Sequence, residues 1–312
     1  MKNFTALYRP KTRVMKIIVI GSKGFIGQHL CSYYRQQGQE VWGADVMVDY
    51  VNTESYFQID STNSDFSSVF QDQEFDLCIN CSGAASVPES IKNPVRDYFL
   101  NTVNVFRILE AIRRYRPECA FINLSSAAVY GNPERLPIQE KDATQPLSPY
   151  GIHKLQSEQI CREFFEFHRL RTCSLRIFSV YGNGLKKQLF WDLFQKATSG
   201  QPFTLYGTGM ESRDYIHVED LVRAIDLIAE NSDFKADIIN VANGEEVLIK
   251  DAVATFFSCF AEDINYSFSG ESREGDPVNW KAEISKIKSY GYQARVDMST
   301  GLEAYYNFNR TI

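Results

Sequence analysis

From Lys16 to Ile20 the chain reads KIIVI, an almost wholly apolar run that stops at Gly21. A short, β-branched run of this kind fits a strand buried on both faces, as in a parallel sheet. The period then changes. Over residues 25–37, Phe25, Ile26, Leu30 and Tyr33–Tyr34 gather on one side of a helix. The alternation repeats. EVWGAD, the run around Phe75 to Asn80, CAFINLSS and RTCSLRIFSV each read as a strand. From Asn93 to Arg114 one long helical pattern carries Val95, Phe99, Val103, Phe106, Leu109 and Ile112, with Pro94 near its start and Pro117 past its end. Another helix runs from about Pro149 to Leu170. Strand, helix, strand repeated in this way predicts an α/β fold with a doubly wound parallel sheet. The C-terminal third is less regular, with glycine-rich punctuation at YGTG, NGEE and SGESREGDP. It predicts a smaller lobe at the carboxyl edge of the sheet, where ligands bind in such folds.

The turn after KIIVI is GSKGFIG, with Gly21, Gly24 and Gly27 three apart between a strand and a helix. The same glycines would serve a tight turn alone. They also suit a dinucleotide fingerprint: one permits the turn, one admits a pyrophosphate to the backbone, and one lets helix and strand pack closely. Phe25 and Ile26 open the helix whose N-terminal amides would face the anion. The next strand ends in Asp45, ~20 residues on, where a carboxylate accepts hydrogen bonds from ribose hydroxyls and repels a 2′-phosphate. That favours NAD over NADP, against a solvated loop acid. Asp60 in QIDSTN has two readings, the adenine edge or an Asx turn.

SPYGIHK puts Tyr150 and Lys154 four apart, on one face of a helix. A phenol of pKa ~10 is a poor base at neutral pH. An ammonium one turn away stabilises the phenolate, and the pair can then move a proton to or from a hydroxyl. Surface helices carry such pairs by chance, so the pair alone is weak. Upstream, INLSSAAVYG sets Ser125 and Ser126 at the end of a strand, able either to cap backbone or to hydrogen-bond a reacting oxygen.

Together, GSKGFIG, Asp45, Ser126, Tyr150 and Lys154 resemble the extended short-chain dehydrogenase/reductase family, the NAD-dependent nucleotide-sugar epimerases and dehydratases, over nearly the whole chain from Met15. The resemblance implies a Rossmann domain, NAD as cofactor, and Ser126, Tyr150 and Lys154 as the catalytic set, with Lys154 also on the nicotinamide ribose. It places the NCSGAASV loop along the ligands, Ser82 and Ala84 on the cofactor and Ser86 on the substrate. Asn101 falls near the nicotinamide end, or else is a helix-surface amide. In RIFSVYGNG, Phe178 is assigned to the nicotinamide, while Ser179 stands where the family has Asn. In ESRDYIHVEDL, Arg213 reaches the nucleotide or makes a structural salt bridge with Asp214 or Asp220. In SREGDP, Arg273 clamps the diphosphate with its planar, forked donors. Lys186, Lys187 and Gln188 open a substrate contact or a wet helix start.

Family dehydratases carry acids just after the catalytic Ser/Thr. Ala127 and Ala128 stand there, and neither moves a proton, so 4,6-dehydration is disfavoured. A 4-epimerase with bound NAD remains, beside a 4-ketoreductase using external reduced cofactor and a catalytically silent nucleotide-binding protein. The expected division is an extension at 1–14, an NAD-binding domain at 15–180 to which 214–242 returns, and a substrate-binding lobe mainly in 181–312.

Composition adds exclusions. The chain of 312 residues has a formal net charge of −6, so it lacks the basic surplus that nucleic acid requires. No apolar run approaches the ~20 residues of a membrane span. Seven scattered cysteines read as reduced thiols of a cytoplasmic protein; Cys78 and Cys81 lack the second pair of a zinc site. Phe164, Phe165 and Phe167 exceed what one buried face needs. The family's helices pair across a two-fold axis, which implies a homodimer; packing inside the monomer is the alternative.

Overall fold

The computed structural model describes residues 13–51, 53–271 and 275–311. The expected extension at 1–14 therefore falls almost wholly outside the described residues, and so does Arg273. In chain order the elements are β1 (Lys16–Ile20), α1 (Phe25–Gln36), β2 (Glu40–Asp45), β3 (Tyr56–Gln58), α2 (Ser67–Gln71), β4 (Leu77–Asn80), α3 (Val87–Lys92), α4 (Pro94–Tyr98), a π-helical turn (Phe99–Val103), α5 (Asn104–Tyr115) and β5 (Ala120–Ser126). They continue with α6 (Pro149–His168), β6 (Thr172–Ile177), β7 (Ser179–Tyr181), α7 (Gln188–Thr198), β8 (Phe203–Leu205), β9 (Ser212–Arg213), β10 (Tyr215–His217), α8 (Val218–Asn231), β11 (Lys235–Val241), β12 (Val247–Leu248), α9 (Ile249–Phe257), β13 (Tyr266–Phe268), α10 (Ser285–Ser289) and α11 (Met298–Arg310).

Seven strands form one sheet in the order β11-β6-β5-β4-β1-β2-β3, with every neighbouring pair parallel. The side chains of β1 alternate between two cores, as a period of two demands. Ile17 and Val19 pack with Leu30 of α1 and Leu221 and Ile225 of α8. Ile18 and Ile20 pack on the other face with Ile108 and Leu109 of α5 and Phe164 of α6. Covering both faces is why the strands read as continuous apolar runs. A third core, built from Phe190, Leu193, Phe256, Leu302 and Tyr305, lies in the C-terminal part of the chain. No helix among the described residues is long and apolar enough to cross a membrane.

One local reading of the sequence needs correction and two gain detail. RTCSLRIFSV is not one strand. Phe178 turns its ring onto Trp280, at 5.9 Å between centroids, and the chain leaves the main sheet for β7, which pairs with β10. The long helix from Asn93 is continuous but widened by the π-helical turn at its middle. Phe164 is core, packed edge-on against Phe106 at 5.2 Å, while Phe167 stays in water.

The end of β5 is fixed from beneath by a buried ion pair. Arg176 of β6 donates from Nη2 to Glu158 Oε2 of α6 at 2.7 Å, and Ser125 Oγ donates to Glu158 Oε1 at 2.6 Å. Both charges are nearly out of water. Arg176→Met should therefore cost about 3–5 kcal/mol in chemical denaturation, because it strands a buried carboxylate. Adding Glu158→Gln should recover most of that loss. A double variant no more stable than the single one would contradict this account of the pair.

Candidate active site

The functional candidates come from different elements but lie at the same edge. The parallel strands end at Ile20, Asp45, Asn80, Ser126 and Ile177, and the loops that follow carry the residues in question. The chain order reverses between β1 and β4, so a crevice opens there.

The glycine turn sits in that crevice. Gly21 has φ +81°, and a Cβ on it would lie 2.6 Å from the Ser82 amide nitrogen. A Cβ on Gly27 would come within 2.1 Å of the Gly21 carbonyl oxygen. Any side chain at either position would push the turn away from α1 or from the β4 loop. Gly24 donates its N–H to the Gly21 carbonyl at 3.0 Å, which closes the turn. Phe25 and Ile26 begin α1 just beyond. Asp45 holds the turn from the side: its Oδ2 accepts from the Lys23 N–H at 2.9 Å and its Oδ1 from the Met47 N–H. Asp60 is exposed, and one of its oxygens closes an Asx turn by accepting from both the N–H and Oγ1 of Thr62 at 2.7 Å. The Asx turn is thus formed, and it uses one of the two carboxylate oxygens.

Ser82 lies beside Gly21 and donates from Oγ to Asn80 Oδ1 at 2.6 Å. Ala84 follows in the same loop. Ser86 caps α3, accepting from the Glu89 N–H. Asn101 belongs to the π-helical turn, a distortion that recurs at functional sites. Both polar atoms of its amide are buried without a partner among the described residues. The oxygen faces Gly83, where a Cβ would meet Asn101 Oδ1 at 2.5 Å and Lys154 Nζ at 3.6 Å. Gly83, with φ +126°, therefore leaves open the space between Asn101 and Lys154.

Lys154 is the centre of this group. It is 6% exposed, and Nζ donates to the Leu124 carbonyl of β5 at 2.8 Å. Burial holds its pKa down at about 8. Tyr150 lies one turn earlier, with the ammonium 6.0 Å from its ring centroid. Burial pushes the phenol up to about 12, and a hydrogen bond with Ser126 opposes the rise. Ser126 Oγ also accepts from the Ala128 N–H at 3.2 Å. Its neighbour Ser125 is engaged by Glu158, which distinguishes the two serines. Ser148 Oγ caps α6 at the Gly151 N–H, and Gly151 packs against the Ala128 carbonyl, so the first turn of α6, which carries Tyr150, is seated on the end of β5.

The remaining candidates are more dispersed. Phe178 is buried against Tyr130 and Trp280. Ser179 starts β7 and donates its N–H to the Asp214 carbonyl. Arg213 lies over the Trp280 ring at 5.5 Å and donates to the Ser212 and Val278 carbonyls. Asp214 is committed elsewhere, accepting from the backbone N–H groups of Asn243, Gly244 and Ala282. Gln188 begins α7, exposed, with an unusual φ of +66°. Gly275, next to the segment that contains Arg273, would touch Val87 and Ser148 if it bore a Cβ. The sequence reading missed Gly83, Asp97 and His153. His153 stands inside the Tyr-x-x-x-Lys spacing and was a visible signal; its partner Asp97 is 56 positions away.

The chain is similar to known proteins along most of its length. The family model described as the NAD dependent epimerase/dehydratase family matches residues 17–242. The chain belongs to that family. A "Putative UDP-glucose 4-epimerase" of Methanocaldococcus jannaschii is 27% identical, over 95% of this chain and 100% of the relative. A "UDP-glucose 4-epimerase" of Lactobacillus helveticus is 27% identical over 88% of this chain and 90% of its own length. Among solved structures, MoeE5 in complex with UDP-glucose and NAD superposes with a TM-score of 0.86 at 26% identity, covering 95% of this chain and 99% of that one. The UDP-glucuronic acid 4-epimerase from Bacillus cereus, in complex with UDP-glucuronic acid and NAD, gives the same TM-score of 0.86, also at 26% identity, with 95% and 99% covered.

The residues at the crevice fit NAD. A bare turn admits a diphosphate, Asp45 supplies a carboxylate beside it, and the Asn101 amide, with no partner among the described residues, faces the space beside Lys154. Lys154→Met should cost the enzyme its activity yet raise Tm at pH 7, since it removes a buried ammonium. The folded pKa of about 8 lies below the ordinary 10.5, so the unfolded chain binds the extra proton between those values. The penalty is complete below pH 8 and fades as pH rises to 10.5. The Tm gain should shrink over that window in calorimetry; a lower Tm at pH 7 would contradict the assignment.

Proposed function

We propose that the protein is an NAD-dependent nucleotide-sugar epimerase acting at C4 of a UDP-hexose or UDP-hexuronate. The observation that carries this reading is the convergence of Ser126, Tyr150 and Lys154 at the end of β5, followed by Ala127 and Ala128. When bound, NAD takes up hydride from the sugar carbon and returns it. The chain's own residues handle the proton. Tyr150 receives it from the C4 hydroxyl and gives it back to the C4 oxygen after the 4-keto sugar has turned over. Lys154 makes that possible by offsetting the negative charge on the phenol oxygen. Ser126 orients the reacting oxygen. With alanines at 127 and 128, no side chain there eliminates water from the keto sugar.

Gly21, Gly24, Phe25, Ile26 and Gly27 hold the diphosphate of NAD in this reading. Asp45 takes the adenosine ribose, Asp60 lies at the same sheet edge, and Ser82, Ala84, Asn101 and Phe178 line the path to the nicotinamide. Ser86, Ser179, Gln188, Arg213 and Arg273 take the substrate, the two arginines its diphosphate. The division of labour follows: residues 15–180 and 214–242 bind NAD, and the rest of 181–312 mainly binds sugar nucleotide. The names and bound ligands of the relatives support UDP as the nucleotide. We place the enzyme in the cytoplasm, supported by seven free cysteines, five of them buried. A homodimer through α4, α5 and α6 is supported by exposed apolar side chains there, among them Val95 (69%) and Phe167 (76%).

The test is turnover without added cofactor. Purified protein should release NAD(H) on denaturation and interconvert UDP-glucose with UDP-galactose, or UDP-glucuronate with UDP-galacturonate, unaided. Tyr150→Phe should retain NAD and lose about 10²–10⁴ in kcat. Strict dependence on added NADH or NADPH would favour a 4-ketoreductase instead.

A further inference from the structure

One buried polar pair touches the site from behind. Asp97 of α4 and His153 of α6 meet at 2.6 Å, Oδ2 to Nδ1, and are only 2% and 9% exposed. The other carboxylate oxygen, Asp97 Oδ1, is buried with no partner among the described residues. A half-satisfied buried carboxylate is costly, and apolar side chains would join two helices more cheaply. The pair also lies where the halves of the site meet. His153 directly precedes Lys154, and Asp97 sits one helical turn before Asn101. Thr102 Oγ1 donates to the His153 carbonyl at 3.2 Å, a second tie between the π-helical turn and α6. Tyr98 packs edge-on against the His153 ring at 5.3 Å.

We propose that Asp97 and His153 are a positioning pair: they hold the turn that carries Asn101 against α6, and they set a carboxylate behind the Lys154 ammonium. This assignment rests on the reading of Tyr150 and Lys154 as the acid–base residues. The titratable groups around Lys154 are Asp97 of α4, Cys81 after β4, and Tyr150, His153, Glu158 and Cys161 of α6, while β5 contributes the neutral Leu124 carbonyl. Burial pushes both thiols up, so they are neutral near pH 7. Glu158 is engaged by Arg176. Asp97 is left as the counter-charge that favours the ammonium against its desolvation.

Two readouts test the pair. Acylation of Lys154 by a small amine-reactive ester, followed against pH by peptide mass spectrometry on the nucleotide-free protein, needs no substrate. Asp97→Asn keeps the shape and an acceptor for His153 but removes the charge. It should move the acylation midpoint down by about 1 pH unit. With UDP-galactose, kcat/KM should then fall several-fold at pH 8 and little at pH 6, a pH-selective loss that a merely structural role would not produce. His153→Ala should shift the midpoint likewise, and His153→Asn, whose amide can donate from near the Nδ1 position, should restore most of it. An unchanged midpoint in both Asp97→Asn and His153→Ala would overturn the proposal. So would loss of the fold in both, which would make the pair part of the scaffold alone. A shifted midpoint in a protein inert toward every UDP-sugar would support the pair and sink the substrate reading.

Discussion

A lysine ammonium held almost out of water is the constraint around which this site is arranged. Burial works in opposite directions on its two members: it lowers Lys154 to about 8 and raises the Tyr150 phenol to about 12. Neither residue is suited to proton transfer alone. Side by side, each supplies what the other lacks, because a phenolate and an ammonium in one low-dielectric place cost less than either by itself. The surroundings follow from that. The Leu124 carbonyl accepts from Nζ, Gly83 leaves the approach open, and the Asp97 carboxylate meets His153, the residue before the lysine.

The parallel sheet supplies the place where such a lysine can be held. Its strand ends converge, and the order reversal between β1 and β4 separates the loops that would otherwise crowd one another. The glycine turn approaches the β4 loop so closely that no side chain fits at Gly21, and Asp45 pins the turn through the Lys23 amide. Beneath the site, the Arg176–Glu158 pair fixes Ser125 and so sets the direction in which Ser126 leaves β5. Packing on both faces and electrostatics at the edge thus act on the same few residues.

Much of this was legible in the sequence because it depends on local spacing. KIIVI followed by three glycines specifies a buried strand and a tight turn. Tyr150 and Lys154 four apart share a helix face wherever that helix lies, and Ala127 and Ala128 speak through what they cannot do. What could not be read depends on partners far along the chain. The break between β6 and β7 is invisible because a strand's new neighbour, β10, comes from 36 residues later. The π-helical turn keeps the apolar spacing of a helix and hides inside it. His153 is visible inside the Tyr-x-x-x-Lys spacing, but its partner Asp97 lies 56 residues away and no local pattern joins them. That Asp60 forms an Asx turn depends on where the two donors of Thr62 fall.

The central claim is that one sugar carbon gives up a hydride and takes the same hydride back, while Tyr150 moves the proton and Lys154 offsets the charge on its oxygen. Incubating the enzyme with UDP-sugar deuterated at C4, without added cofactor, tests it most directly by mass spectrometry and NMR. The account predicts a C4-inverted product that keeps its deuterium at C4 and takes none from solvent. Washout of the label into water, or its appearance at another carbon, would contradict it.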